Sequence, residues 1–342
     1  MSGAAGDGVL VVVPTLNEAA TIEAVVAALL AGWPAGCPGS LFVVDGGSSD
    51  GTQARVAALA ARDARVTLVH NPRRVQAAAV NLAARLAPEG TRWLVRADAH
   101  AVYPQGFVAD CIAALERTGA DAVVVPMDSC GRTRTGRAVA WISDTLLGSG
   151  GSAHRGGTRA GWIDHGHHAA WQLASYRAAG GYDEAFAHNE DAEFDCRLRA
   201  LGGRIWIEPA IRLTYYVRGD LASLWRQYHA YGRGRSRTVR RHPRSWRLRQ
   251  ALVPAGVGAV AGSSLAAPFD PVLWLVPASY CAVLVLAALL LAWRHRSGAA
   301  LLGAPAALVM HFAWASGFVA GLLVTREPVW RAADTVILGE TA

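Results

Sequence analysis

The chain has 342 residues, 52% of them hydrophobic and only 17% charged, with a formal net charge of +7. That balance excludes intrinsic disorder and is too apolar for a purely soluble protein of this size. Every basic side chain is arginine, and nine arginines with no acid among them fall within residues 226–249. The charge is therefore one basic belt rather than a nucleic-acid-binding coat, and no nucleic-acid partner is expected.

The first twenty residues lack the basic start of a secretory signal, and the apolar run Val9 to Val13 is too short for its core. The N-terminal part is thus expected in the cytosol. Five scattered cysteines (37, 111, 130, 196, 281), odd in number and without a CxxC pair, agree with a reducing compartment. Up to about residue 220, short β-rich runs alternate with Ala-rich helical stretches. The pattern predicts strands near 8–13, 41–45, 65–69, 92–97 and 121–125, and helices near 18–31, 51–62, 75–87 and 105–118. Such alternation, with continuous apolar strands, predicts a mostly parallel α/β sheet with flanking helices on both faces. Ligands bind beyond the carboxyl ends of such strands. The polar clusters fall there: Pro14-Thr15-Leu16-Asn17-Glu18, Asp45-Gly46-Gly47-Ser48-Ser49-Asp50-Gly51-Thr52, and Asp98-Ala99-His100.

Residues 221–250 read as a basic amphipathic segment. Leu221, Leu224, Trp225 and Tyr228 recur at i, i+3, i+4 and i+7, the spacing of a helix lying at a membrane surface. Its arginines could pair with anionic head groups or a lipid-linked pyrophosphate, or mark topogenic charge beside a span. Three apolar stretches follow, about 251–268, 272–293 and 299–324, none containing Asp, Glu, Lys or Arg. Each is near the ~20 residues a bilayer-crossing helix needs, so 251–326 is expected to form three transmembrane helices, with 327–342 as a short tail. The positive-inside bias puts the basic belt and Arg294-His295-Arg296 in the cytosol and leaves the 268–271 turn and the C-terminus outside.

Several side chains could do chemistry. Asp45 ends an apolar strand, where a carboxylate can meet a base or ribose while Gly46 and Gly47 admit close backbone approach; an ordinary turn residue is the other reading. Neither GxGxxG nor GxxxxGK[ST] occurs, so a dinucleotide fold or P-loop is not expected. Asp98 and His100, at i and i+2 on a strand end, can reach one divalent cation bridging a diphosphate, or be a plain solvated loop. Imidazole suits Mn2+ better than Mg2+. Glu190, Asp191, Glu193 and Asp195 open a helical stretch, more acids than a helix start needs, and one could act as a general base. Asp164-His165-Gly166-His167-His168 is dense in histidine, but no matching ligand cluster or HExxH accompanies it, so zinc is not expected.

In order, Val13 to Glu18, Val44 to Thr52, Asp98-Ala99-His100, and Gly180-Gly181-Tyr182-Asp183-Glu184 leading to Asn189-Glu190-Asp191 resemble the family 2 glycosyltransferases of the GT-A fold. Those are inverting enzymes that use nucleotide-sugars, and the resemblance covers about residues 8–250. The Asp-Ala-His variant, Arg226-Gln227-Tyr228, Tyr231-Gly232 and the C-terminal spans are similar to glucosyltransferases of succinoglycan biosynthesis, which extend a polyprenyl-diphosphate-linked oligosaccharide at the inner membrane. The resemblance implies a cytosolic GT-A domain over 1–220. It implies that Pro14, Thr15, Asn17, Glu18, Asp45, Gly47, Ser48, Arg73, Gln76 and Asp98 hold the nucleotide-sugar, with Asn81 lining the site. Asp98 and His100 would hold the metal, Mn2+ or Mg2+; most members have Asp where His100 stands, which leaves its identity open. Asp191 would deprotonate the acceptor hydroxyl with Glu190 beside it, and His167, His168, Arg226, Gln227 and Arg233 would face acceptor or lipid. No Gln-x-x-Arg-Trp motif occurs at 226–231, which disfavours a processive synthase. The expected activity is transfer of one sugar, glucose from UDP-glucose, to a polyprenyl-diphosphate-linked saccharide by a multi-pass inner-membrane protein. Two alternatives stand beside it: transfer to a polyprenyl phosphate itself, and a non-catalytic nucleotide-sugar-binding membrane scaffold.

Overall fold

A computed structural model of the chain describes residues 7–150, 157–324 and 326–339. In chain order the elements are β1 (Gly8–Thr15), α1 (Ile22–Ala31), β2 (Gly39–Asp45), α2 (Thr52–Ala60), β3 (Val66–His70), α3 (Gln76–Arg85) and β4 (Thr91–Arg96). Then come β5 (Ala101–Val102), α4 (Phe107–Thr118), β6 (Ala122–Val124), β7 (Met127–Cys130), α5 (Arg134–Ser143), α6 (Leu146–Ser149), β8 (Gly161–Ile163), β9 (His168–Gln172) and α7 (Leu173–Ala178). The rest are α8 (Glu190–Ala200), β10 (Ile205–Ile207), β11 (Leu213–Tyr216), α9 (Leu221–Arg241), α10 (Leu248–Ala266), α11 (Leu275–His295) and α12 (Gly303–Val324). The described residues fall into two compact units. One holds the chain up to Asp128, from 157 to Tyr215 and from Arg331 onward; the other holds 129–150 and Tyr216 to Trp330.

The first unit is built on an eight-stranded sheet in the order β3-β2-β1-β4-β9-β6-β10-β8. β3, β2, β1 and β4 are all parallel, as the alternation predicts. β9 enters antiparallel between β4 and β6, and β8 closes the edge antiparallel to β10. Both faces are covered, so β1 is apolar throughout. Val9, Val11 and Val13 pack with Ile22, Leu29 and Phe107 on one side, while Leu10 and Val12 pack with Val80, Trp171 and Tyr176 on the other. From β1 the chain runs outward through β2 to β3 and then returns to place β4 on the other side of β1. That reversal is the switch point at which the carboxyl ends of an open α/β sheet form a crevice. The tail returns to this unit: Leu338 N–H donates to the Arg177 carbonyl at 3.0 Å, and the Leu338 side chain packs against the second core cluster.

The second unit is helical. Val139 and Ile142 of α5, Leu224 of α9, Leu284 and Leu291 of α11, and Met310 of α12 share one core. Asp220 caps α9 by accepting from Ser223 N–H at 2.8 Å. α9 and α12 cross in backbone contact, because a Cβ added at Gly317 would lie 2.0 Å from the His229 carbonyl oxygen and one at Gly321 2.0 Å from Ser236 Oγ. Small residues four apart are what such an approach requires. Of the apolar face expected to rest on a membrane surface, Leu224 is instead buried in this core, Leu221 and Tyr228 pack against it, and Trp225 stays exposed.

Among the described residues, the expectation of three spans is corrected to two candidates. Pro271–His295 and Gly298–Val324 are long and apolar enough to cross a membrane. α10 is not, because its first turn holds Arg249 and Gln250. What remains, 251–266, is about 24 Å of helix at 1.5 Å per residue, short of the ~30 Å hydrocarbon layer. It is also rich in Gly, Ala and Ser, with Pro254 inside.

Candidate functional site

The loops after β1 and β2 are knitted together. Asn17, held at φ 58, donates its N–H to Ser48 Oγ at 2.7 Å, and Ser49 N–H returns a bond to Asn17 Oδ1 at 2.9 Å. Glu18 N–H donates to Thr52 Oγ1 and Ala19 N–H to Asp50 Oδ2, both at 2.9 Å. Asp45 is buried at the end of β2; its Oδ1 accepts from Gly47 N–H and Ser48 N–H at 2.9 Å and from Gln53 Nε2 at 2.7 Å. The carboxylate thus shapes the loop that a nucleotide would meet. Gly47, at φ +87, sits where a side chain would be strained. Pro14 and Thr15 end β1, with Thr15 Oγ1 donating to the Val13 carbonyl at 2.9 Å.

Across the switch point, Arg96 ends β4 with a buried guanidinium. It donates to Asp98 Oδ1 at 3.1 Å and to Tyr182 Oη at 3.1 Å, and lies 3.8 Å from Glu190 Oε1. One cation therefore ties the end of β4 to the start of α8. Gln76 Nε2 also donates to Asp98 Oδ1 at 3.0 Å. Burial alone would raise the Asp98 carboxyl, but Arg96, His167 and His100 outweigh it and hold it well below its ordinary value. Asp98 is ionised at every working pH.

Glu190 and Asp191 form the first turn of α8, where the helix start favours negative charge. Their environments push them apart. Burial and the neighbouring Asp191 raise Glu190 to about 7, against the pull of Arg96. Burial would raise Asp191 as well, but His165 and His168 outweigh it and keep that carboxyl below its ordinary value. Two adjacent carboxyls, one ionised and one titrating near neutrality, are suited to acid–base work.

The remaining predicted residues are placed less uniformly. His167 Nε2 lies 3.7 Å from Asp98 Oδ2, and burial pushes its imidazole down to about 4, so it is neutral beside the site. His168 is wholly buried between Tyr182 and Asp195, so its expected contact with acceptor or lipid is corrected to a bond within the core. Arg73 is exposed and pairs with Glu184 at 3.0 Å. Asn81 accepts from Tyr176 Oη and Tyr182 N–H, both at 2.8 Å, so it holds the Gly181–Tyr182 bend rather than lining a cleft. Arg226, Gln227 and Arg233 lie on α9 in the second unit, Gln227 donating to Tyr231 Oη at 3.0 Å. Arg96 is the residue sequence reasoning missed. Its signal was an arginine ending the apolar run Trp93-Leu94-Val95, since a charge on a buried strand needs a buried partner.

The donor chemistry fits a divalent cation. His100 Nδ1 lies 2.9 Å from Glu18 Oε1. A carboxylate held against one ring nitrogen is how metal-binding histidines are often oriented. Among the described residues no three His, Cys, Asp or Glu side chains gather as a complete cage. Asp98 and His100 could supply two ligands to an ion that takes the rest from a diphosphate and water.

A solved structure, the mannosyltransferase PcManGT from Pyrobaculum calidifontis in complex with GDP-Man and Mn2+, shares this fold with a TM-score of 0.57 at 22% identity, covering 94% of this chain and 89% of that one. The sheet and its switch point thus have a GT-A-like α/β fold. Residues 10–172 match the family described as Glycosyl transferase family 2. The succinoglycan biosynthesis protein ExoA of Rhizobium meliloti (strain 1021) is 41% identical over 325 residues, 94% of this chain and 96% of that protein. The chain belongs to glycosyl transferase family 2.

Proposed function

We propose that the protein is a membrane-anchored inverting glycosyltransferase. It moves one sugar, glucose from UDP-glucose, onto a polyprenyl-diphosphate-linked saccharide in exopolysaccharide synthesis at the cytosolic face of a bacterial inner membrane. The observation that carries this reading is the Arg96 bridge, which ties the ionised Asp98 to the Glu190–Asp191 pair. Support for the pathway comes from the 41% identity to a succinoglycan biosynthesis protein, and support for membrane attachment from the two long apolar helices.

In this reading the Pro14–Glu18 turn and the Asp45–Ser48 loop hold base and ribose. Asp191 accepts the proton of an acceptor hydroxyl, whose oxygen bonds to the anomeric carbon as the bond from that carbon to the diphosphate breaks on the opposite face. Glu190, ionised above about 7, makes Asp191 more basic by its charge. Asp98 and His100 would hold a divalent cation, which when bound offsets charge on the leaving nucleotide diphosphate. A polyprenyl-phosphate acceptor is already ionised and needs no base, so the split carboxyl pair favours a hydroxyl acceptor.

The test is turnover of UDP-glucose, UDP-galactose and GDP-mannose by detergent-purified protein with Mn2+, with and without lipid-linked saccharides extracted from Rhizobium meliloti. Nucleotide release from UDP-glucose, increased by the extract, is expected. Release from GDP-mannose alone would overturn the donor. Binding with no release under any condition would favour the scaffold reading.

A further inference from the structure

The Arg96 bridge depends on Tyr182, and Tyr182 stands on the bend between α7 and α8. Gly180 and Gly181 make that bend at φ +79 and +65, a conformation that favours glycine. Two elements of the sheet unit hold it by hydrogen bonds. From α3, Asn81 Oδ1 accepts from Tyr182 N–H at 2.8 Å, and Asn81 Nδ2 donates to the Tyr182 carbonyl at 2.8 Å. From α8, the buried Arg197 donates to the Gly181 carbonyl at 2.7 Å and to the Ala179 carbonyl.

A third hold comes from residues that follow α12. Leu338 N–H donates to the Arg177 carbonyl at 3.0 Å, at the end of α7. A Cβ added at Gly180 would lie 2.8 Å from the Val336 carbonyl oxygen and 3.3 Å from Thr335 Cγ2, and one at Gly181 would lie 3.0 Å from Leu338 Cδ2. Residues 335–338 therefore lie directly on the two glycines. Val336 and Ile337 are largely exposed, whereas Leu338 packs against the core cluster that contains Tyr176, Tyr182 and Phe194. The segment adds one side chain to the core, and it adds it at the bend.

From the bend to the charged groups is a short path. Tyr182 Oη accepts from Arg96 Nη1 at 3.1 Å, and Arg96 lies between Asp98 and Glu190. A bend that shifts would carry the phenol away from the guanidinium that joins them.

We propose that residues 335–338 are a strap that fixes the catalytic geometry. Leu338 is a positioning residue: through the Gly180–Gly181 bend and Tyr182 it keeps Arg96 between Asp98 and Glu190. The loops assigned to base and ribose hang from β1 and β2, off this path, so donor binding does not depend on the strap. The catalytic consequence rests on the functional reading above; the hold on the bend does not.

The test uses the full-length protein in detergent. Leu338→Ser removes the packed side chain and keeps the backbone bond, Leu338→Met restores apolar bulk, and a chain ending at Asp334 lacks the strap. In Leu338→Ser, hydrogen exchange read by mass spectrometry should be about tenfold faster in the peptide containing Tyr182. Peptides from β1 and β2 should be unchanged, and Leu338→Met should match the wild type. With UDP-glucose and the Rhizobium meliloti lipid-linked saccharide extract, kcat should fall about tenfold in Leu338→Ser and return in Leu338→Met, with donor KM unchanged. If the shortened chain does not fold, Leu338→Ser carries the test. Wild-type exchange at Tyr182 in Leu338→Ser overturns the proposal, and so does faster exchange spread equally over β1 and β2, which marks general destabilisation. Faster exchange at Tyr182 with unchanged kcat overturns the positioning role. If the wild-type protein transfers nothing to the extract, the functional reading fails and the catalytic role falls with it, while exchange at Tyr182 still decides the strap.

Discussion

The two units put unlike things in unlike places. In the sheet unit charge goes inside: Arg96, Asp98, Glu190, Glu193, Asp195 and Arg197 are each at most 9% exposed. They are paired: Arg96 bridges Asp98 to Glu190, and Arg197 holds Glu193. In the helical unit apolar bulk goes outside: Phe269 is 90% exposed, Trp293 82% and Leu323 81%. Burying a charge costs several kcal/mol unless it is paired, so the first pattern persists where paired charge serves chemistry. Large apolar side chains left facing outward mark a surface made for something other than water. The average composition of 52% hydrophobic residues describes neither unit.

Substitutions that damage one unit should spare the other. Asp191→Asn is expected to have the largest effect, lowering transfer by about a thousandfold or more while nucleotide binding by calorimetry and behaviour in detergent stay unchanged. Substantial residual transfer would remove Asp191 from the base role. Gly317→Leu attacks the other unit, since nothing larger than hydrogen fits against the His229 carbonyl. It should cost about 3 kcal/mol, read as a lower melting temperature, with nucleotide affinity of the surviving protein unaltered.

Glu190→Gln works through pH. A carboxyl raised to about 7 on folding holds its proton more tightly in the folded state. Its contribution to stability is complete below the unfolded value near 4.5 and is lost as pH rises through about 7. Thermal melts of the wild type should therefore fall across that window, and those of the variant should be flatter. The rise of kcat/KM with pH near 7 should flatten with them. The smallest effect is expected from His100→Asp, which should move the Mn2+/Mg2+ activity ratio toward Mg2+; an unmoved ratio would argue against His100 as a ligand.

How much the sequence reveals follows the same division. β1, β2 and β4 are legible because their apolar runs are buried on both faces. β9 is not, because His168-Ala169-Ala170-Trp171-Gln172 begins and ends polar, although it lies mid-sheet between β4 and β6. Asp98, Glu190 and Asp191 announce themselves as acids at strand and helix ends. Their partners do not, since Arg96 meets Tyr182 across 86 residues and His165 meets Asp195 across 30, distances that only the fold closes. The third span fails for a local reason, Arg249 and Gln250 in the first turn of α10.

The bond from Leu338 to Arg177 bears on a matter of parity. The chain leaves the sheet unit at Tyr215 and rejoins it at Arg331. A thread that leaves a bead and comes back to it pierces any film on the way an even number of times. If Pro271–His295 and Gly298–Val324 both cross a bilayer, they return the chain to the side it left, whereas three crossings would part Leu338 from the unit in which it is packed. If the catalytic sheet faces the cytosol, so does the tail, and a reporter fused after Gly339 should report the same compartment as one fused ahead of β1.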